Sequence, residues 1–247
     1  MSCRLRVIAG PNGSGKSSIF ELIKQTKDVV TGKMLSLGHF INADHIEKDF
    51  LQQKFIRLSD YGIDSVDETI IDDYINISTL KAPYTPAIIK EMIYMEDGCF
   101  KIVSQKSSPY LAMVVADLLR EKLLSLKKSF TMETVFSHED KLTFIERAIK
   151  EGYKVYLYFI STESPEINLK RIEGRVKAGG HDVPAEKVVQ RYERTMQNLL
   201  PALRLSYRAY LFDNSGIETI KVAEKYTDGS IFLEEKIPSW VLKYLPA

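Results

Sequence analysis

Residues 10–18 read GPNGSGKSS and follow a short, mostly apolar run from Leu5 to Ala9. This is the G-x-x-x-x-G-K-[ST] spacing of a phosphate-binding loop. It restricts the chain to folds that place a strand, a tight turn and a helix in that order. Gly10, Gly13 and Gly15 let the backbone turn its N–H groups inward onto phosphate oxygens, with Pro11, Asn12, Ser14 and Ser18 completing the cradle. The spacing predicts that Lys16 reaches the terminal phosphates and that Ser17 sets its hydroxyl on Mg²⁺. The N-terminus of the following helix adds its positive end to the anion site. The expected ligand is a nucleoside triphosphate, taken as ATP with Mg²⁺. A chance glycine-lysine loop is the alternative, and the strand–loop–helix context speaks against it.

Strands alternate with helices along the rest of the chain, which predicts an α/β fold with a parallel sheet and right-handed crossovers. Strands are expected at 4–9, 39–43, 129–135, 153–160 and 208–214, and helices at 15–25, 44–54, 109–127, 137–151, 164–178 and 184–206. The expectation is thus a P-loop NTPase three-layer sandwich of kinase type, with a mostly parallel five-stranded sheet. Between strand two and the 109–127 helix, residues 55–106 read as an insertion into a single domain spanning 1–247. Within it, DSVDETIIDDYINIS and TPAIIKEMIYME (85–96) look helical, and Asp97-Gly98 turns into CFKIVSQ as a short strand. The tail has strand alternation around Asp228-Gly229, the pattern of a hairpin, and IPSWVLKYL reads as a packing element.

In a parallel sheet, chemistry gathers at the C-terminal ends of the strands. Asp44, Glu133 and Asp213 sit at such ends. Phosphoryl transfer needs one carboxylate to orient or deprotonate the attacking hydroxyl and another to hold Mg²⁺ or its waters. For Asp44 the competing reading is a helix cap. Glu133 lies in an otherwise apolar, Thr-rich strand, where a carboxylate is costly unless paired or metal-bound; it is assigned with Ser17 to the metal, and with Asp44 and Thr134 to the substrate. Asp213 lies in LFDNSG, either against a nucleotide base or in a plain polar turn. Asn214 is assigned to the cofactor. Residues 170–194 hold the densest basic cluster, with Arg171 and Arg175 on one helix face and Arg191 and Arg194 on another, joined by KAGGHDVPAE. A glycine-hinged, arginine-bearing hairpin over 170–200 has the makings of a lid on a triphosphate; a solvated helix face is the alternative for most of these charges taken singly.

The net charge of +1 supplies no field to recruit nucleic acid or an anionic membrane, and no apolar stretch approaches the ~20 residues that span a bilayer. Cys3 and Cys99 form no framework, and the N-terminus runs straight into strand one without room for a signal peptide. A cytoplasmic location is expected. The four histidines show no zinc spacing.

Taken together, GPNGSGKS, INAD, MET-x-FS, SPE-x-x-x-x-R-x-x-x-R-V-x-x-GGHDVP-x-x-x-x-x-x-RY and LFDNSG resemble the zeta-toxin-like P-loop kinases, over residues 3–54 and about 108–216. The resemblance implies ATP-dependent phosphorylation of a hydroxyl on a small molecule, as in members that act on UDP-N-acetylglucosamine. It implies Lys16 and Ser17 on phosphate and Mg²⁺, Asp44 as general base, and Arg175 as the lid arginine with Arg191 sharing its role. A separate antitoxin protein is the partner such a family admits. Two other functions remain open at this stage. One is a nucleic-acid end kinase, which would want a basic channel with stacking aromatics. The other is a non-kinase NTP hydrolase or switch.

Overall fold

The computed structural model describes residues 2–27, 32–64, 71, 85–103, 109–178 and 183–245. Strand β1 (Arg4–Ala9) is buried over its last five residues, and the glycine turn feeds it into α1 (Lys16–Lys24), which buries Ile19, Phe20 and Ile23 at helical spacing. Strand β2 (His39–Ile41) stops at Asn42, whose side-chain oxygen accepts the N–H groups of Asp44 and His45 at 2.7 and 3.2 Å and so caps α2 (Ala43–Gln53). Capping therefore falls to Asn42, and the Asp44 carboxylate is not needed for it.

A strand absent from the sequence reading follows, β3 (Phe55–Arg57), with a 3₁₀ turn over Leu58–Tyr61. The helix expected over 64–78 falls outside the described residues apart from Asp64 and Ile71. The helix expected over 85–96 ends early: α3 is Pro86–Met92, and Ile93–Glu96 is instead strand β4, paired antiparallel with β5 (Cys99–Ile102). Asp97 and Gly98 have φ of 50° and 68°. A two-residue turn with both φ positive matches the twist of a hairpin, which outweighs helix propensity at Ile93 and Tyr94.

The chain continues through α4 (Pro109–Ser125), β6 (Phe130–Thr134), α5 (Asp140–Lys150), β7 (Lys154–Ser161) and α6 (Pro165–Lys177). The single helix expected over 184–206 is two, α7 (Ala185–Gln197) and α8 (Leu199–Leu205). Pro201 has no N–H to continue the ladder, so the helix breaks one turn before it, at Asn198. Then come β8 (Arg208–Asp213), β9 (Ile220–Lys225), β10 (Ile231–Leu233) and α9 (Ser239–Tyr244).

The main sheet has seven strands rather than the expected five. The tail hairpin accounts for the difference: β9 pairs antiparallel with β8, through an irregularity between Leu211 and Phe212, and β10 pairs antiparallel with β9.

The chain divides into two compact units, residues 1–37 with 133–247, and residues 38–132. In the first, β10, β9, β8, β7 and β1 lie side by side, with β1–β7 and β7–β8 parallel. Helices α5 and α8 pack against β7, whose Val155, Leu157 and Phe159 are each at most 1 % exposed. In the second unit, β2 pairs parallel with the start of β6, β3-β5-β4 form a separate antiparallel sheet, and α2 packs on α4.

Candidate active site

The phosphate loop lies in the first unit, at the C-terminal end of β1. All three of its glycines have positive φ: 154° at Gly10, 77° at Gly13 and 95° at Gly15. A Cβ on Gly10 would stand 2.0 Å from the Ile160 carbonyl oxygen, one on Gly13 2.8 Å from that of Asn168, and one on Gly15 2.2 Å from Asn214 Nδ2. The loop is thus pressed against β7, α6 and the segment after β8, and only glycine fits.

Gly15 is the N-cap of α1 and offers no side-chain acceptor, so the first N–H groups of the helix are left for an anion. The Ser14 hydroxyl is buried without a hydrogen-bond partner among the described residues. The Lys16 ammonium lies over the loop, donating to the carbonyls of Gly10 at 3.0 Å and Pro11 at 2.9 Å. An uncapped helix end, an unpartnered donor and a cation form a fitting cradle for polyphosphate.

Glu133 is delivered by the end of β6. The backbone there is held firmly: Phe136 is fully buried with φ of 63°, its N–H donates to Thr134 Oγ1 at 3.2 Å, and its carbonyl accepts Asn198 Nδ2 at 2.9 Å. Thr195 Oγ1 donates to the Val135 carbonyl at 2.7 Å. The result sets both Glu133 carboxylate oxygens 3.5 Å from Ser17 Oγ. That is longer than an ordinary O–H···O bond, so two hard oxygen donors face one another without being locked together. Among the described residues no group of three or more His, Cys, Asp or Glu side chains is placed to hold a metal ion. One carboxylate and one hydroxyl suit Mg²⁺, which keeps waters and takes phosphate oxygens for its remaining positions.

Asn214 also meets the loop: its Nδ2 donates to the Ser14 carbonyl at 2.8 Å while its Oδ1 accepts Thr219 Oγ1 at 2.7 Å. Its neighbour Asp213 has a different role from the base contact weighed for it. The carboxylate is 7 % exposed and accepts Trp240 Nε1 at 2.8 Å, Ser215 Oγ at 2.8 Å and the Ser215 N–H at 3.1 Å. It anchors the C-terminal helix α9 to the sheet.

Arg175 is exposed on α6 and Arg191 is half-buried on α7, and these two helices pack together; the turn at 179–182, with His181, lies outside the described residues. Thr134 Oγ1 is occupied by the Phe136 N–H. Asp44 is exposed in the first turn of α2, in the second unit. Two further residues stand around the loop, one missed by the sequence reading and one read there only as part of the basic cluster. Asn168, fully buried on α6, backs Gly13 and accepts Thr162 Oγ1 at 2.7 Å. Arg171 Nη2 reaches the Gly216 carbonyl at 3.4 Å, beside the Asn214 segment. Asn168 carries no sequence signal, since it meets Gly13 through its own backbone; Arg171 was visible only as one charge of a basic helix face.

Three comparisons bear on the fold and site. Residues 97–217 match the family model described as Zeta toxin, a stretch that includes Glu133, Arg175, Arg191 and Asn214 but not the phosphate loop or Asp44. A Haemophilus influenzae protein described only as uncharacterized is 38 % identical over 63 residues, which cover 26 % of this chain and 45 % of that protein. The fold is similar to the crystal structure of AvrRxo1-ORF1:AvrRxo1-ORF2 with sulphate ions, at a TM-score of 0.59 and 17 % identity over 98 % of this chain and 63 % of that one. The same complex with ATP gives a TM-score of 0.57 at 18 % identity, over 94 % of this chain and 61 % of that one. The chain spans less than two thirds of the length of each of these relatives. Residues 97–217 are thus similar to the zeta toxin family, and the solved structures share the α/β fold of this chain.

Proposed function

We propose that the chain is an ATP-dependent phosphotransferase acting on a hydroxyl of a small molecule, with a sugar nucleotide such as UDP-N-acetylglucosamine as the acceptor class the resemblance suggests. The observation that carries this reading is the Ser17 hydroxyl facing the Glu133 carboxylate at 3.5 Å, beside a glycine loop that leads into a helix end without a side-chain cap. ATP supplies the phosphoryl group, and Mg²⁺ neutralises phosphate charge when held by Ser17 and Glu133. Lys16 contributes a positive charge at the terminal phosphates. Arg175 and Arg191 supply further positive charge for the group in transfer, and their planar donor forks suit it. Asp44, exposed and not consumed as a helix cap, accepts the proton of the acceptor hydroxyl. Thr134 and Glu133 border the acceptor. The crystallisation of AvrRxo1-ORF1 with a second protein supports a separate antitoxin-like partner, which co-purification from cells would reveal.

The test is transfer of labelled γ-phosphate from ATP to a panel of sugar nucleotides and nucleosides. Lys16→Ala and Asp44→Ala should both abolish transfer, while only Lys16→Ala strongly weakens ATP binding. Full transfer by Asp44→Ala removes it from the role of base. Hydrolysis without any labelled acceptor would replace the kinase reading with that of an NTP hydrolase.

A further inference from the structure

In the second unit, a cavity of about 220 Å³ opens between α2, β3 and the 3₁₀ turn that follows. Its polar lining comes from Asp49 and Gln53 of α2 and from Arg57 and Asp60; Phe40 and Phe55 supply aromatic walls. Asp49 and Gln53 are four residues apart and share one helix face. None of the four polar side chains has a hydrogen bond or ion pair to a described residue, although two acids and a guanidinium line the same space. The Arg57 guanidinium instead lies over the Phe55 ring, 5.6 Å from its centroid. Convergent polar groups that leave one another unpaired, against aromatic walls, are the make-up of a small-molecule pocket.

The balance of groups selects the ligand. Two carboxylates and one amide oxygen want hydrogen-bond donors, while Arg57 offers the one strong cationic donor. The net charge of the lining disfavours a phosphate group. Tyr61 also lines the cavity, and burial, with Asp49 and Asp60 nearby, pushes its hydroxyl up to about 12, so it stays a neutral donor. We infer that this cavity binds a neutral ring rich in hydrogen-bond donors, a pyranose or an amino-bearing nucleobase, forming the end of the acceptor remote from the reacting hydroxyl. The remoteness follows from helix geometry. Asp49 lies five residues beyond Asp44 on α2, roughly 7.5 Å along the axis and about 140° around it. A ring seated beside Asp49 is therefore not the one whose hydroxyl meets Asp44.

The inference rests on the proposed kinase reading for its acceptor, but binding can be read without it. N-acetylglucosamine and guanosine serve as saccharide and nucleobase probes, titrated into the full chain without ATP by calorimetry and saturation-transfer NMR. One of the two should bind, which identifies the source of the ring. Asp60→Asn and Asp49→Asn keep side-chain shape but replace an acceptor with a donor, and each should weaken binding about tenfold or more with an unchanged melting temperature. Inorganic phosphate should not compete. No binding of either probe below ~10 mM overturns the inference, as does binding that both variants leave unchanged. The two readings fail separately. Loss of ATP binding in Lys16→Ala together with silent probes removes the cavity assignment alone; ring binding without phosphoryl transfer to any acceptor removes the kinase and leaves the pocket.

Discussion

Replacing Gly15 by alanine tests how the phosphate loop is held. Gly15 has φ of 95°, and an L residue in the left-handed region costs about 1–2 kcal/mol. The new methyl group would also stand 2.2 Å from Asn214 Nδ2 and 3.3 Å from its Cγ. The amide must then move, breaking its bonds to the Ser14 carbonyl at 2.8 Å and from Thr219 Oγ1 at 2.7 Å. At about 0.5–1.5 kcal/mol net for each bond, the total comes to about 2–5 kcal/mol. Urea unfolding followed by Trp240, the one tryptophan in the chain, reports on the unit that contains the loop. The sharper measurement is a double-mutant cycle with Asn214→Ala. With the amide gone there is nothing to displace, so Gly15→Ala should then cost only its backbone share, leaving a coupling of about 1–3 kcal/mol. Additivity within about 0.5 kcal/mol would refute the claim that Asn214 braces the loop against Gly15.

Trp240→Phe keeps a ring in a site that is 2 % exposed but deletes the donor to Asp213. The carboxylate retains its Ser215 bonds, so the cost should be about 1.5–3 kcal/mol, a drop in melting temperature of roughly 3–10 °C by calorimetry; a change under 1 °C would show that Asp213 does not anchor α9. Stability should also fall in alkali. Burial pushes the hydroxyls of Tyr158 and Tyr192 up to about 12. Their folded values lie above the ordinary value of about 10, so the unfolded chain loses these protons first. Stability is intact below pH 10 and declines as pH rises toward 12, and Tyr192→Phe should flatten part of that decline. A urea midpoint that is constant between pH 9.5 and 11.5 would contradict this.

Much of the fold was legible because its signals are local. The apolar run of β1, the glycine-lysine turn and the aromatic run of β7 each fix their own backbone state, and β1 and β7 stand within a residue of where the sequence set them. Errors arose where a partner far along the chain decided the outcome. Ile93–Glu96 reads as the end of a helix until β5 is there to receive it, and the tail hairpin joins the main sheet only because β8 offers an edge.

Site residues divide in the same way. Glu133 and Asp213 were both noticed as carboxylates at strand ends, where a charge needs compensation. That rule is sound for Asp213 but silent about which group provides the compensation. For Asp213 it is an indole 27 residues downstream, and the acid is consumed by structure. For Glu133 it is a hydroxyl at 3.5 Å, which leaves both carboxylate oxygens able to take a cation. Asp44 moves the other way, because Asn42 takes over the cap that competed for it and the Asp44 carboxylate is left exposed. A sequence can show that a charge must be answered; whether the answer is a fold contact or a ligand depends on which distant side chain arrives first.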